Sequence, residues 1–333
     1  MARTIMGVEI GNYRIKLAVC TGTKLDKLVV ADVPDNLVRN SQIISWEAMS
    51  DFIREVVREN RISCKNVAIA LPDDSTYIKK SIMPAMTIDQ LKVNLPYEFH
   101  DFITDDKDEY FYDYSVVDIV EDAEGKTKEM ELLSVAVKQD LIENYKAMFR
   151  RAGLKLMVAM PEVIGFRNII DEYELRNGIN EDRDYGILDI GHSTVKLHLF
   201  NGGEYDVTRT MEIGHESLNR IIAEKLDCDE HIAAVCKEQN KDNILECEEC
   251  MDFYNQLAVE VTRVINFYGF NQPDNNLETI YYCGGGAFVR PCIEVIRANI
   301  DLELAGLNLL IDPSMASPKD AVLGPAAMGI NWE

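Results

Sequence analysis

Residues 8–20 read VEIGNYRIKLAVC and residues 188–200 read LDIGHSTVKLHLF, one above the other at a constant offset (188 − 8 = 180). Ile10/Ile190, Gly11/Gly191, Lys16/Lys196 and Leu17/Leu197 are identical, and Glu9 stands opposite Asp189. A chain that writes one acidic-Ile-Gly-x-x-x-x-Lys-Leu phrase in each half is constrained to two similarly built halves. The repeat is longer than a peptide. The first copy runs through TIMGVEIG, RIKLAVC and KLVVADV, with Thr21-Gly22-Thr23 at the second turn; the later copy continues through Asn201-Gly202-Gly203 into YDVTRTMEI. Alternating segments bounded by turn residues predict strand–turn–strand–turn–strand in both.

Between the copies the texture changes. WEAMSDFIREVVREN (46–60) puts Trp46, Met49, Phe52, Ile53, Val56 and Val57 on one helical face, and NVAIALP (66–72) reads as a strand buried on both sides. Strand, turn, strand and helix between Pro84 and Pro161 read as a small inserted domain, with a polar tip at 121–129. Its acidic run 105–109 reads as a solvated loop face. After the second copy, GHESLNRIIAEKL starts a helix just past Gly214 and residues 224–268 are helical. ETIYYCGGGAFVRPCIEVIRANI then gives strand, triple glycine and helix, and PKDAVLGPAAMGINW a weak C-terminal helix.

Composition narrows the partners. At 333 residues there is length for two domains. A net charge of −23 argues against nucleic acid and against electrostatic docking on anionic lipid, since both are bound through basic faces. No targeting segment and no run of about 18 apolar residues is visible, so no membrane span is expected. The eight cysteines mostly sit in apolar segments, as free thiols do in a reducing compartment. Cys247 and Cys250 have ligand spacing but lack a second CxxC, so they read as helix cysteines rather than structural zinc ligands.

An Ile-Gly hairpin turn followed by small or polar residues can aim several backbone N–H groups into one small volume, which suits a phosphate. Two such hairpins facing each other would grip a polyphosphate from both sides. An acidic residue just before each turn, Glu9 and Asp189, would hold the accompanying hydrated magnesium; an ion pair with Lys16 or Lys196 is the competing reading. Gly284, Gly285 and Gly286 would let backbone pass under a flat ring or ribose.

VEIGNYRIKLAV, LDIGHSTVKLHLF, GHESLN and IYYCGGGAF together resemble the phosphate-1, phosphate-2 and adenosine motifs of the actin-like ATPase superfamily, which includes FtsA. The stretches NVAIALPDDSTYIKKSIMPAMTIDQLKVNLPYEF and LLSVAVKQDLIENYKAMFRRAGLKLMVAMPE are similar to the type IV pilus assembly PilM family, over nearly the whole chain. The resemblance implies a duplicated α/β, actin-like (ribonuclease H-like) fold, two lobes around a nucleotide cleft, with an FtsA/PilM-type insertion. It implies four subdomains: 1–80 with 155–183 and 314–333; the inserted 81–154; 184–223 with 269–313; and a helical 224–268. It implies ATP with Mg2+, held by Gly11, Asn12, Tyr13, Lys16, Gly191, His192, Ser193, Thr194, Lys196, Gly284, Gly285 and Gly286, with Glu216 and Asn219 near ribose or base. A helix-cap role is the alternative for the last two. The family further implies a cytoplasmic scaffold at the inner face of the membrane. Its partners would be the tail of a PilN-like membrane protein and other pilus or secretion assembly proteins, with self-association as a further property. The tail would lie near 77–99, where Met83, Pro84 and Met86 are expected to be exposed to an apolar peptide; packing in their own domain is the competing reading.

The second copy keeps the acid and the hydroxyls at Asp189, Ser193 and Thr194. The first departs from the family's Asp-Ile-Gly-Ser-Ser-Ser, with Glu9-Ile10-Gly11-Asn12-Tyr13-Arg14. Tyr13 is expected to crowd a tight phosphate turn, and Arg14 either assists phosphate or points to the opposite strand face. ATPase activity is accordingly expected to be slow at most. Two other functions fit the same fold. One is a small-molecule kinase, for which no substrate motif is visible. The other is an FtsA-like filament protein or pseudo-ATPase. FtsA-like members carry an amphipathic tail; the sequence ends at MGINWE, and recruitment by a partner is the expectation.

Overall fold

The structure, a computed structural model, describes residues 3–121, 125 and 127–311. The chain divides into two compact units, Met1–Gln42 with Val163–Glu333, and Ile43–Glu162.

In the first unit β1 (Thr4–Ile10), β2 (Arg14–Thr21) and β3 (Lys24–Asp32) form an antiparallel meander. Side chains from both faces of β1 and β2, among them Ile5, Met6, Val8, Ile15, Leu17 and Ala18, are buried. Cover on both faces is why these strands read as near-continuous apolar runs rather than a clean alternation. A short ladder of β4 (Val38–Arg39) with β5 (Gln42–Ile43) ends the segment.

The inserted unit opens with α1 (Trp46–Glu59), whose N-cap Ser45 accepts the Ala48 N–H at 3.3 Å and whose apolar face buries Met49, Ile53, Val56 and Val57. Then come β6 (Asn66–Leu71), β7 (Thr76–Pro84) and α2 (Ile88–Asn94), the last started by a Thr87/Gln90 capping box. β8 (Tyr110–Glu121), β9 (Thr127–Lys138), α3 (Gln139–Arg151) and β10 (Lys155–Pro161) complete it. β7, β9 and β8 make an antiparallel three-stranded sheet in that order, and β10 runs parallel to β6. Trp46 meets Tyr145 of α3 edge to face at 5.0 Å. The small sheet packs Leu132 and Ala136 against Leu91, Leu95 and Phe99. Met83 belongs to that core at 5% exposure, so the expectation that it is exposed to a peptide is corrected. Its position in β7 alternates with exposed Ile82 and Pro84, and the strand period turns Met83 inward. Pro84 is exposed and Met86 is half-buried against the same core.

The chain then returns to the first unit through α4 (Glu162–Asn177) and repeats the meander in β11 (Tyr185–Ile190), β12 (Val195–Asn201) and β13 (Glu204–Met211). The repetition is structural in detail. A register shift interrupts β2–β3 at Val19/Cys20 and β12–β13 at Leu199/Phe200, the same place after 180 positions (199 − 19 = 180). Gly22 and Gly202, also 180 apart, turn with φ of 58° and 57°. α5 (His215–Leu226), α6 (Glu230–Gln239) and α7 (Glu248–Asn271) follow. β14 (Thr279–Cys283) and β15 (Glu303–Gly306), either side of α8 (Arg290–Asn299), add parallel strands beyond β11. The sheet order is β13-β12-β11-β14-β15. One core joins Phe166, Ile169 and Ile170 of α4 to Ala18 and Cys20 of β2 and to Ile187, Phe200 and Cys283. A larger one packs α5 to α8 on the other face of the second sheet.

Among the described residues no helix is long and apolar enough to cross a membrane. Part of the tip at 121–129, the helix read at PKDAVLGPAAMGINW and the segment 314–333 lie outside the described residues.

Candidate functional site

The two Ile-Gly turns close alike. The Gly11 N–H donates to the Arg14 carbonyl at 2.9 Å, and the Gly191 N–H to the Thr194 carbonyl at 3.0 Å. A Cβ would come 3.0 Å (Gly11) and 2.7 Å (Gly191) from that carbonyl oxygen, so the second turn has no room for a side chain and the first is a tight fit. Behind each turn the ladder sets acid against lysine, Glu9 opposite Lys16 and Asp189 opposite Lys196. Glu9 Oε1 and Lys16 Nζ are 2.5 Å apart, with side chains only 13% and 6% exposed. Burial raises the Glu9 pKa above the ordinary carboxylate value, Lys16 works against that, and Asp189 adds to it. For Lys16 burial opposes the charge, but Glu9 and then Asp189 outweigh it and hold the ammonium above its usual range.

Glu9 Oε2 and Asp189 Oδ1 are buried without a hydrogen-bond partner. Buried carboxylate oxygens with spare lone pairs fit a hydrated divalent cation, which would neutralise phosphate charge when bound. Among the described residues no group of three or more His, Cys, Asp or Glu forms a protein-only metal cage.

The turns touch each other. Asn12 Oδ1 accepts the Ser41 N–H at 2.8 Å, which fixes the amide so that Nδ2 donates to Ser193 Oγ at 2.8 Å. Tyr13 stacks on His192 with ring centroids 4.9 Å apart and planes 18° from parallel. Tyr13 thus leaves its own turn and lies on the other one. Arg14 pairs with Asp32 at 2.9 Å and with Glu238 of α6, and its guanidinium lies 5.9 Å from the Phe288 ring centre. A second exposed contact, His231 to Asp35 at 3.4 Å, joins the same two segments.

α5 begins on the second turn. The N–H groups of His215 and Glu216 donate to the carbonyls of Gly191 (3.3 Å) and His192 (2.8 Å), so these helix-terminal donors are satisfied by the turn itself. A Cβ at Gly214 would lie 2.3 Å from the His192 carbonyl oxygen. The helix has no side-chain cap bond, so neither Glu216 nor Asn219 acts as its cap. Glu216 is half-buried, and Asn219 is buried with Oδ1 unpartnered. His215 is buried, its Nε2 lacks a partner, and burial, aided by the charge of Lys237, pushes its pKa down to about 3. Burial and then Lys237 also lower His192. Lys237 itself is pushed down to about 8 by burial and next by Arg14.

The glycine run completes the surround. Gly284 has φ +86°, and a Cβ there would fall 2.2 Å from Asp189 Oδ1 and 2.6 Å from the Ile190 carbonyl oxygen. At Gly286 it would meet Ile190 Cγ2 at 2.1 Å, whereas Gly285 faces open space. Gly284 and Gly286 are thus fixed by packing on β11, and Gly285 is the position of the run open to a ligand.

Gly11, Asn12, Tyr13, Lys16, Glu9, Asp189, the 191–194 turn, His215 and Gly284 to Gly286 are brought together by these contacts. Met83, Pro84 and Met86 belong to the inserted unit. Cys247 stands at the N-cap position of α7 without a side-chain cap bond, Cys250 is buried in its first turn, and none of the eight cysteines is in a disulfide. Sequence reasoning missed Gly214, Lys237 and the Arg14–Glu238 pair. A glycine directly before a helix lacking a capping side chain was a signal for the first; no local signal announces the other two.

A search of curated proteins gives no match. Among solved structures, a "PilM-PilN type IV pilus biogenesis complex" chain is similar at 20% identity and TM-score 0.79, covering 99% of this chain and 98% of that one. The ethanolamine utilization protein EutJ from Carboxydothermus hydrogenoformans gives 14% identity and TM-score 0.61 over 100% and 91%. MreB5 of Spiroplasma citri bound to AMPPNP gives 12% and 0.53 over 99% and 95%. These likenesses establish the actin-like fold. The family model described as "Type IV pilus assembly protein PilM" matches residues 7–320. The chain belongs to the PilM family of type IV pilus assembly proteins.

Proposed function

We propose that the chain is an adenine-nucleotide-binding scaffold of a type IV pilus or related secretion machine. In this reading it works on the cytoplasmic side of the membrane, held there by the cytoplasmic tail of a PilN-like membrane protein. Family membership supports the pilus role, and a solved relative with its partner is itself called a PilM-PilN complex. The observation that carries the nucleotide part is the duplicated turn, with Glu9 Oε2 and Asp189 Oδ1 left unpartnered behind it. ATP with Mg2+ would lie between the turns, held by Lys16, Lys196, backbone of 191–194 and the glycine run. The four-subdomain division 1–80/155–183/314–333, 81–154, 184–223/269–313 and 224–268 belongs to this proposal, as does slow or absent hydrolysis.

Calorimetry with magnesium nucleotide on wild type and Asp189→Ala tests it. Saturable micromolar binding that the variant loses supports the reading; no binding by wild type removes the nucleotide from it. The tail proposal is checked with a synthetic peptide of the PilN-like protein's cytoplasmic tail. Exposed Pro84 and half-buried Met86 are the residues to change, and a peptide affinity indifferent to Pro84→Ala/Met86→Ala would take the tail away from 77–99.

A further inference from the structure

The first turn lacks the small hydroxyl residues of its counterpart, and what replaces them reaches the second turn directly. Asn12 Nδ2 lies 2.8 Å from Ser193 Oγ, and Tyr13 stacks on His192. Two groups already at hydrogen-bond distance cannot hold one phosphate from opposite sides, because the phosphate must come between them. A polyphosphate reaching the tip of the turns must therefore separate Asn12 from Ser193 and slide Tyr13 off His192. Arg14 works in the same sense. Its guanidinium is engaged by Asp32 and by Glu238 of α6, so it ties the first turn to the helical segment without an anion between them.

We infer that the Asn12–Ser193 and Tyr13–His192 bridge stands in for a terminal phosphate, so that the cleft selects a nucleoside diphosphate over a triphosphate. This rests on the nucleotide reading above. The acid–lysine pairs behind the turns and the open backbone at Gly285 are untouched by the bridge and serve either nucleotide. On this account only the place of the last phosphate is filled by the protein's own side chains. Asn12 and Tyr13 are on this account specificity-determining residues: they set phosphate number, not base identity.

The test is the affinity of full-length protein for Mg-ADP and for the Mg complex of a non-hydrolysable triphosphate analogue, in wild type and in Asn12→Ser/Tyr13→Ser. One hydrogen bond and one ring pair correspond to a preference of about tenfold or more for the diphosphate in wild type. The double variant is expected to lose that preference or reverse it. Its melting temperature without ligand should fall, and the triphosphate analogue should restore it more than ADP does. Wild type that binds the triphosphate analogue as tightly as ADP overturns the inference, as does a folded double variant with an unchanged ratio. If neither protein binds any nucleotide, the nucleotide reading itself fails and the inference falls with it, a result distinct from binding without discrimination. A circular dichroism spectrum of the double variant separates loss of the bridge from loss of the fold.

Discussion

Adjacent glycines in the same run carry opposite requirements. Gly284 has φ +86° and no room for a Cβ against Asp189 and Ile190, whereas a Cβ on Gly285 meets nothing within 4 Å. Gly284→Ala should destabilise by about 2–4 kcal/mol through strain and overpacking, and Gly285→Ala by no more than about 0.5 kcal/mol, in urea unfolding. Similar losses for both would mean that Gly285 is packed as tightly as its neighbour. His215 gives a pH signature. Its folded pKa, about 3, lies below the ordinary 6.5, so the unfolded chain takes up the proton first. The stability it contributes is complete above 6.5 and is lost as pH falls from there toward 3, with a limiting slope of about 1.4 kcal/mol per pH unit. Wild type minus His215→Gln isolates that slope from the titrating carboxylates, and a difference flat with pH would place His215 in contact with water. At this scale the sequence was informative where chemistry is local. Gly11 and Gly191 were readable as turn glycines, but the partners of Arg14 and Lys237 were not. Arg14 and Glu238 are 224 positions apart and meet only once the helices have packed.

The hairpin is the element on which the site is built, and its register does the positioning. Pairing Ile10 with Ile15 obliges Glu9 to face Lys16, and both side chains are then buried. Removing Glu9 leaves the buried Lys16 ammonium without its ion-pair partner, with Asp189 as the remaining nearby acid, so Glu9→Ala should cost up to about 3–5 kcal/mol. Glu9→Ala/Lys16→Met should recover most of that, because the remaining cation is gone too. A double variant as unstable as the single one would show that packing, not charge, dominates. Strand periodicity and turn residues gave the two meanders, and helical periodicity gave α1 and α3. Strand periodicity applied to β7 turns Met83 inward, which is the alternative of packing in its own domain. Tyr13 was read as crowding its turn, and the structure resolves the crowding by laying the ring on His192 instead. That partner belongs to a different hairpin, beyond the reach of any local rule.

For the molecule as a whole, the duplication is the fact that organises everything else. The shared bulge and shared glycine turn show that the second meander reproduces the first down to its irregularities. The long helical excursion α5 to α7 is tied back to the N-terminal segment by Arg14 and Asp35. These contacts are partly or well exposed, so each contributes no more than about 1 kcal/mol to global stability. Arg14→Ala should leave the melting temperature nearly unchanged yet raise amide hydrogen exchange in α6, since local opening is governed by local ties. Unchanged exchange there would mean that the hydrophobic contacts of α6 alone hold it. The Asn12–Ser193 contact has a consequence of another kind. Closure by a second segment of the same chain is unimolecular, so in the absence of ligand its extent does not depend on protein concentration, and a dissolved anion enters only as a competitor that has to part the two groups. The resting shape of the two turns is therefore written into the chain itself, and a ligand can only open it.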